Sequence, residues 1–232
     1  KFLKPSSGPV LSAYAEALQQ VFVDNFVQLG GTITAQEAVQ KDQTDMSAVL
    51  TTVAASNAGA PPDVVYYPIF TAAGGFITAQ VRDVAGMEDI VLFGSDGLFS
   101  PDFVAAAGPD AEGMYLSSPD FSRFPAGYQS FLDKHTAKFG ENPIQIFHAH
   151  AYDAANILMN AIEKVAVKSG DIVYVPRKAL RDAIFATKDF AGITGTLTCG
   201  QYGDCGAPVI AVYQITARET GGEWPPAAPI WP

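Results

Sequence analysis

Apolar and polar positions alternate between two spacings along the first half of the chain. Residues 12–29 carry Leu18, Val21, Phe22, Phe26 and Leu29 at three- and four-residue intervals, with Ser12 placed as an N-cap. That spacing predicts an amphipathic helix, which Gly30 and Gly31 stop. Residues 32–39 read as a strand, and residues 45–58 as a second helix ended by Asn57, Gly59 and two prolines. The run Asp63-Val-Val-Tyr-Tyr67 lies between prolines and has the composition of a strand buried on both faces. Residues 70–84 return to a helical pattern, and Gly74 with Gly75 near its start predicts a close approach by backbone or ligand. A buried strand at 90–93, a loop at 94–97, a short helix at 101–107 and a strand at 113–118 follow.

Strand and helix in alternation predict an α/β fold with an open, mainly parallel sheet and helices on its faces. Ligands on such sheets sit at loops leaving the carboxyl ends of strands. The stretch just before Tyr14, the turn at 68–71 and the turn at 94–97 are therefore the places to look. After Pro119 the pattern changes to helices at 128–139, 147–167 and 177–186. Residues 194–198 and 209–216 read as strands paired across a loop holding both cysteines. The stretch 221–232 contains four of the sixteen prolines and both tryptophans, so an extended tail is expected there.

At 232 residues and 48% hydrophobic, the chain can bury one large core or two modest ones. Its 14 basic and 24 acidic residues give a net charge of -10, which excludes attachment to nucleic acid or an anionic membrane through a general basic field. No apolar run approaches the roughly 20 residues that span a bilayer. Residues 1–11 show neither the apolar core nor the cleavage site of a signal peptide, so a mature chain, a processed fragment and a cytosolic protein are all consistent with the start.

Chemistry-bearing motifs are sparse. No nucleophile elbow, phosphate loop or dinucleotide fingerprint occurs, so no enzyme activity and no cofactor are expected. His148, His150 and Asp153 form an H-x-H-x-x-D set, but residues two apart on a helix diverge, which points to structural use over metal binding or catalysis. Cys199 and Cys205 enclose five turn-forming residues. A disulfide closing that loop would mark an oxidising compartment; two free thiols or a two-ligand metal clip are the alternatives.

Five stretches, in order, carry a family resemblance: Ser12-Ala-Tyr-Ala-Glu-Ala17, Asp63-Val-Val-Tyr-Tyr67, Phe93-Gly-Ser-Asp-Gly-Leu98, Ala111-Glu-Gly-Met114 and Ala151-Tyr-Asp-Ala-Ala-Asn156. Together they resemble the substrate-binding proteins of branched-chain amino acid ABC importers, the leucine/isoleucine/valine-binding type with the periplasmic binding protein type 1 fold. The resemblance implies a two-lobed α/β protein that closes on a small amino acid-like solute outside the cytoplasm and delivers it to a permease. Periplasmic or extracellular placement, with a lipoprotein anchor as one option, goes with it.

The family places a complete amino-terminal lobe before the helix that starts here at Ser12, and only eleven residues precede it, without the expected apolar strand. The chain thus reads as an atypical segment 1–11, a second lobe from 12–122 and 193–216, a helical segment 123–192 returning to the first lobe, and a tail 217–232. A missing lobe or partner chain is implied. Residue by residue, the resemblance assigns ligand contacts to Tyr14, to Phe70 with Thr71, and to Asp96 as partner of a ligand ammonium. Phe70 stands where the family often has Tyr and cannot donate a hydrogen bond. An interaction or structural subunit of a larger extracellular assembly and a ligand-sensor domain are the rival roles.

Overall fold

The computed structural model describes residues 2–5, 11–144, 146–206, 208–226 and 228–231. Its main sheet is built by β1 (Phe2–Pro5), α1 (Leu11–Gln28), β2 (Gln36–Val39), α2 (Ser47–Ala55), β3 (Val64–Tyr67), α3 (Thr71–Val81), β4 (Val91–Gly94), α4 (Pro101–Ala107) and β5 (Tyr115–Pro119). A second set follows: α5 (Gly127–Phe139), α6 (His148–Val165), β6 (Val167–Ser169), β7 (Ile172–Tyr174), α7 (Arg177–Phe185), β8 (Phe190–Ala191) and β9 (Thr196–Leu197). The chain then returns to the main sheet with β10 (Ile210–Gln214) and ends beyond α8 (Ala217–Thr220).

Six strands run in the order β10-β5-β4-β3-β1-β2, parallel except for β10, which pairs antiparallel with β5. The central position of β3 explains its composition. Val65, Tyr66 and Tyr67 are all buried, and β-branched or aromatic residues fill a strand covered on both faces. Pro62 and Pro68 bracket it and prevent its extension. Burial pushes the Tyr67 hydroxyl well above the ordinary tyrosine range, and the group is satisfied by a 2.7 Å hydrogen bond with Thr78 Oγ1.

Helix α3 buries Ala73, Ile77 and Val81 and meets this strand where Thr78 bonds Tyr67. Its two glycines meet neighbouring protein: a Cβ on Gly74 would lie 2.4 Å from Leu98 Cδ2, and one on Gly75 2.9 Å from the Ala106 Cβ. The small stripe therefore lets α4 and the turn before it pack directly on α3. Helix α4 starts where its sequence requires, with Ser100 Oγ accepting from Phe103 N and Pro101 in the first turn.

Several expectations are corrected. A strand does precede Ser12: Phe2–Pro5 pairs with β2 along its length and with β3 at Phe2↔Tyr66. Residues 194–198 and 209–216 do not pair with each other. Strand β9 pairs with β8, whereas β10 pairs with β5 from Ile210↔Pro119 to Gln214↔Tyr115. The reason is burial: Ala211, Tyr213 and Ile215 complete the apolar layer of the main sheet. The predicted strand at 32–39 is confined to Gln36–Val39.

The chain forms two compact units, Lys1–Pro119 with Ile210–Pro232, and Asp120–Val209. Their boundaries fall at other positions than the segments drawn from sequence. In the first unit the tail packs on its own sheet. Trp224 stands edge-on to Phe99 at 4.8 Å between ring centroids, and Trp231 bridges Val212 on the outer edge of β10. Covering that edge removes a template for unwanted strand pairing.

In the second unit α6 turns Ala149, Asp153, Ile157 and Ala161 inward at four-residue intervals. Cys199 and Cys205 are joined by a disulfide, and the Cys199 amide bonds to Thr187 O at 3.0 Å, tying the loop to the segment after α7. Closing so short a loop restricts the unfolded chain by about 2 kcal/mol. Reduction, or a paired Cys199→Ser and Cys205→Ser change, is expected to lower the stability of the second unit by about that amount. Denaturant titration with and without reductant measures it.

Candidate functional site

The register Tyr67↔Gly94 brings the carboxyl ends of β3 and β4 side by side. The loop after β3 carries Phe70 to the start of α3, and the loop after β4 makes a single 3-10 turn over Asp96–Leu98. Contact between the two loops depends on Gly97. A Cβ there would stand 2.5 Å from the Ile69 carbonyl oxygen and 3.2 Å from Phe70 Cδ1. The opening turns of α1 bring Tyr14 to the same place.

Three of the four residues singled out as ligand contacts meet here. Tyr14 Oη donates a 2.5 Å hydrogen bond to Asp96 Oδ1, across 82 residues of sequence. The Tyr14 and Phe70 rings lie 6.2 Å apart with an interplanar angle of 42°. Their exposures, 42% and 38%, leave both rings open to a ligand, while Asp96 is half-buried between solvent and core. Thr71 stands in the first turn of α3 with its Oγ1 3.5 Å from Ser100 Oγ, so its hydroxyl is shared with the start of α4.

Partial burial, and next the hydrogen bond to Asp96, raise the Tyr14 hydroxyl well above the ordinary tyrosine range. Tyr66 is raised too, first by burial and then by the nearby Asp96 charge. Both phenols therefore stay protonated throughout the neutral range. Tyr66 and Ser95 were not singled out from sequence. Tyr66 stacks on Phe22 at 4.3 Å with the planes 19° apart. Ser95 is fully buried, and its hydroxyl lies close enough to the Tyr14 phenol to oppose part of that rise.

The histidines have different surroundings. His148 Nε2 lies 2.8 Å from the Tyr128 hydroxyl, and its ring stacks with Phe121 and Phe131. His150 packs edge-on to Phe124 and Phe147, and burial lowers its pKa, an effect the Asp153 charge opposes. Asp153 binds the 193–194 loop, accepting from both backbone amides and from Thr194 Oγ1. Among the described residues no group of three or more His, Cys, Asp or Glu side chains could hold a metal ion. A recess of about 590 Å³ lined by Ser47, Thr51, Gln80 and Asp83 lies at the other end of α3, away from Phe70.

A doubly covered parallel sheet with a carboxylate and two open rings at its strand ends has the architecture of a solute-binding lobe. The chain belongs to the periplasmic binding protein family, matched over residues 9–220. It is 28% identical over 207 residues to the Leu/Ile/Val-binding protein BraC3 of Rhizobium johnstonii, covering 88% of this chain and 52% of that protein. Among solved structures it resembles the branched-chain amino acid transporter substrate-binding protein LivJ of Streptococcus pneumoniae, in complex with isoleucine. That likeness has a TM-score of 0.75 and 24% identity, over 100% of this chain and 59% of LivJ. A solute-binding protein of an ABC transporter from R. palustris, in complex with benzoate, has a TM-score of 0.71 and 18% identity, over 100% of this chain and 58% of that one. The chain thus spans a little over half the length of these relatives.

Proposed function

We propose that the first unit is one lobe of an extracytoplasmic solute-binding protein that captures a small amine-bearing solute, an amino acid or close relative, for an ABC importer. The observation that carries this reading is the meeting of Tyr14, Phe70 and Asp96 at the carboxyl ends of β3 and β4. Asp96 supplies the negative charge for an ammonium group, and the two rings supply apolar surface for what the amine is attached to. In this reading the second unit belongs with a first lobe, and the solute is enclosed when the two lobes close about a hinge. The disulfide agrees with an oxidising compartment. Family membership and the absence of catalytic motifs support binding over enzymatic turnover.

The test is calorimetry of the intact native protein against a panel of free amino acids and amides. Asp96→Ala is expected to weaken the ligand that binds by about tenfold, the loss of a half-exposed charge pair. Undiminished affinity in that variant removes Asp96 from the site. Its partner is an ABC permease, and stable co-purification with some other extracellular assembly would favour the subunit role instead.

A further inference from the structure

Asp96 has one oxygen engaged before any ligand arrives. Tyr14 Oη donates to Oδ1 at 2.5 Å, and among the described residues Oδ2 accepts no hydrogen bond. Neighbouring Phe70 has no hydroxyl, while the Tyr66 phenol lies near enough to feel the Asp96 charge. The two oxygens of the carboxylate are therefore unequal: Oδ1 has given one of its two lone pairs to a phenol, and Oδ2 has given none among the described residues.

Ammonium and guanidinium respond differently to such a carboxylate. An ammonium is a compact charge whose donors point in separate directions, and one open oxygen gives it a strong contact. A guanidinium draws its advantage from two parallel N–H···O bonds, one to each oxygen. The Tyr14 hydroxyl takes a lone pair and some charge from the oxygen that the second bond would use.

Building on the amine-binding reading, we infer that Tyr14 is a specificity-setting residue, weakening one oxygen of Asp96 as an acceptor so that the site favours a point-charge ammonium over a forked guanidinium or amidinium. Tyr14 acts on the ligand's head group through Asp96, while its ring and that of Phe70 face the remainder. The preferred ligands are amines carrying an apolar or aromatic group, and guanidino compounds of equal size are discriminated against.

The test uses matched pairs: L-leucine and L-phenylalanine, each against its α-guanidino counterpart, titrated calorimetrically into the intact native protein. Each pair shares its carboxylate and side chain, so the affinity ratio within a pair isolates the head group. The wild type is expected to favour the amine by about tenfold or more, the worth of one charge-assisted hydrogen bond. Tyr14→Phe keeps the ring and frees Oδ1, and it is expected to shrink that ratio about tenfold by strengthening the guanidino form. A purely structural role for Tyr14 would weaken both forms in proportion and leave the ratio fixed. An unchanged ratio in Tyr14→Phe, with Asp96→Asn still weakening the amines, overturns the inference and leaves the amine-binding reading standing. Unaltered affinities in Asp96→Asn, or no binding of any amino acid or amide of the panel by the wild type, overturn that reading and the inference with it.

Discussion

Gly97→Ala is expected to cost the protein about tenfold or more in ligand affinity and about 1–3 kcal/mol in stability of its first unit. The added methyl would sit 2.5 Å from the Ile69 carbonyl oxygen, well inside contact distance, and the obstacle is backbone. Relief requires the loop after β4 to draw away from the loop after β3, and Asp96 and Phe70 ride on those two loops. Moving that carboxylate and that ring out of register with a ligand forfeits at least one charge-assisted contact, worth about tenfold. Gly206→Ala is the matched control, since a Cβ there meets nothing within 4 Å. Calorimetry and denaturant unfolding of both variants decide the matter. Wild-type affinity in Gly97→Ala would mean that the touching loops do not shape the site.

The same glycine shows what can and cannot be read from the chain. That a loop follows Phe93 is legible, because a buried apolar run gives way to Gly-Ser-Asp-Gly. That Gly97 must lack a side chain because a carbonyl from another loop presses on it is not, since the contact exists only once β3 and β4 are in register. Strands β3, β4 and β5 announce themselves by composition, and α3 and α6 by length and spacing. Strand β1 does not. Phe-Leu-Lys-Pro is four residues with a charge and a proline, and only pairing with β2 and β3 makes it a strand.

Pairing of distant segments is the other thing local pattern leaves open. The nearest partner for 209–216 along the chain is the strand before the cysteine loop, so a hairpin is the economical guess. The observed partner, β5, lies about a hundred residues away and wins because it lets Ala211 and Tyr213 enter an apolar layer already formed by the parallel strands. The candidate site divides the same way. The ordered motifs single out Tyr14, Phe70 and Asp96, but the bond between Tyr14 and Asp96 spans 82 residues and is a product of the fold.

Asp153 in the second unit carries the largest expected effect on stability. It is 2% exposed and accepts three hydrogen bonds, from Ile193 N and Thr194 N at 2.9 Å and from Thr194 Oγ1 at 2.6 Å. A Cβ on Gly192 would lie 2.4 Å from Asp153 Oδ2, so the loop passes against the carboxylate closely enough to require glycine there. Asp153→Ala removes three charge-assisted bonds together and leaves two backbone amides without acceptors in a half-buried loop. Bonds to charged groups contribute about 1.5–3 kcal/mol each, but their loss is not additive when one loop relaxes as a body. The expected cost is about 3–5 kcal/mol in the unfolding of the second unit, with the first unit unchanged. Asp153→Asn keeps one acceptor oxygen and should recover about half of it. Denaturant unfolding of the three proteins, with hydrogen exchange at Ile193 and Thr194 to localise the change, tests this. Protection at those amides that survives in Asp153→Ala would show that the loop is held by something other than this carboxylate.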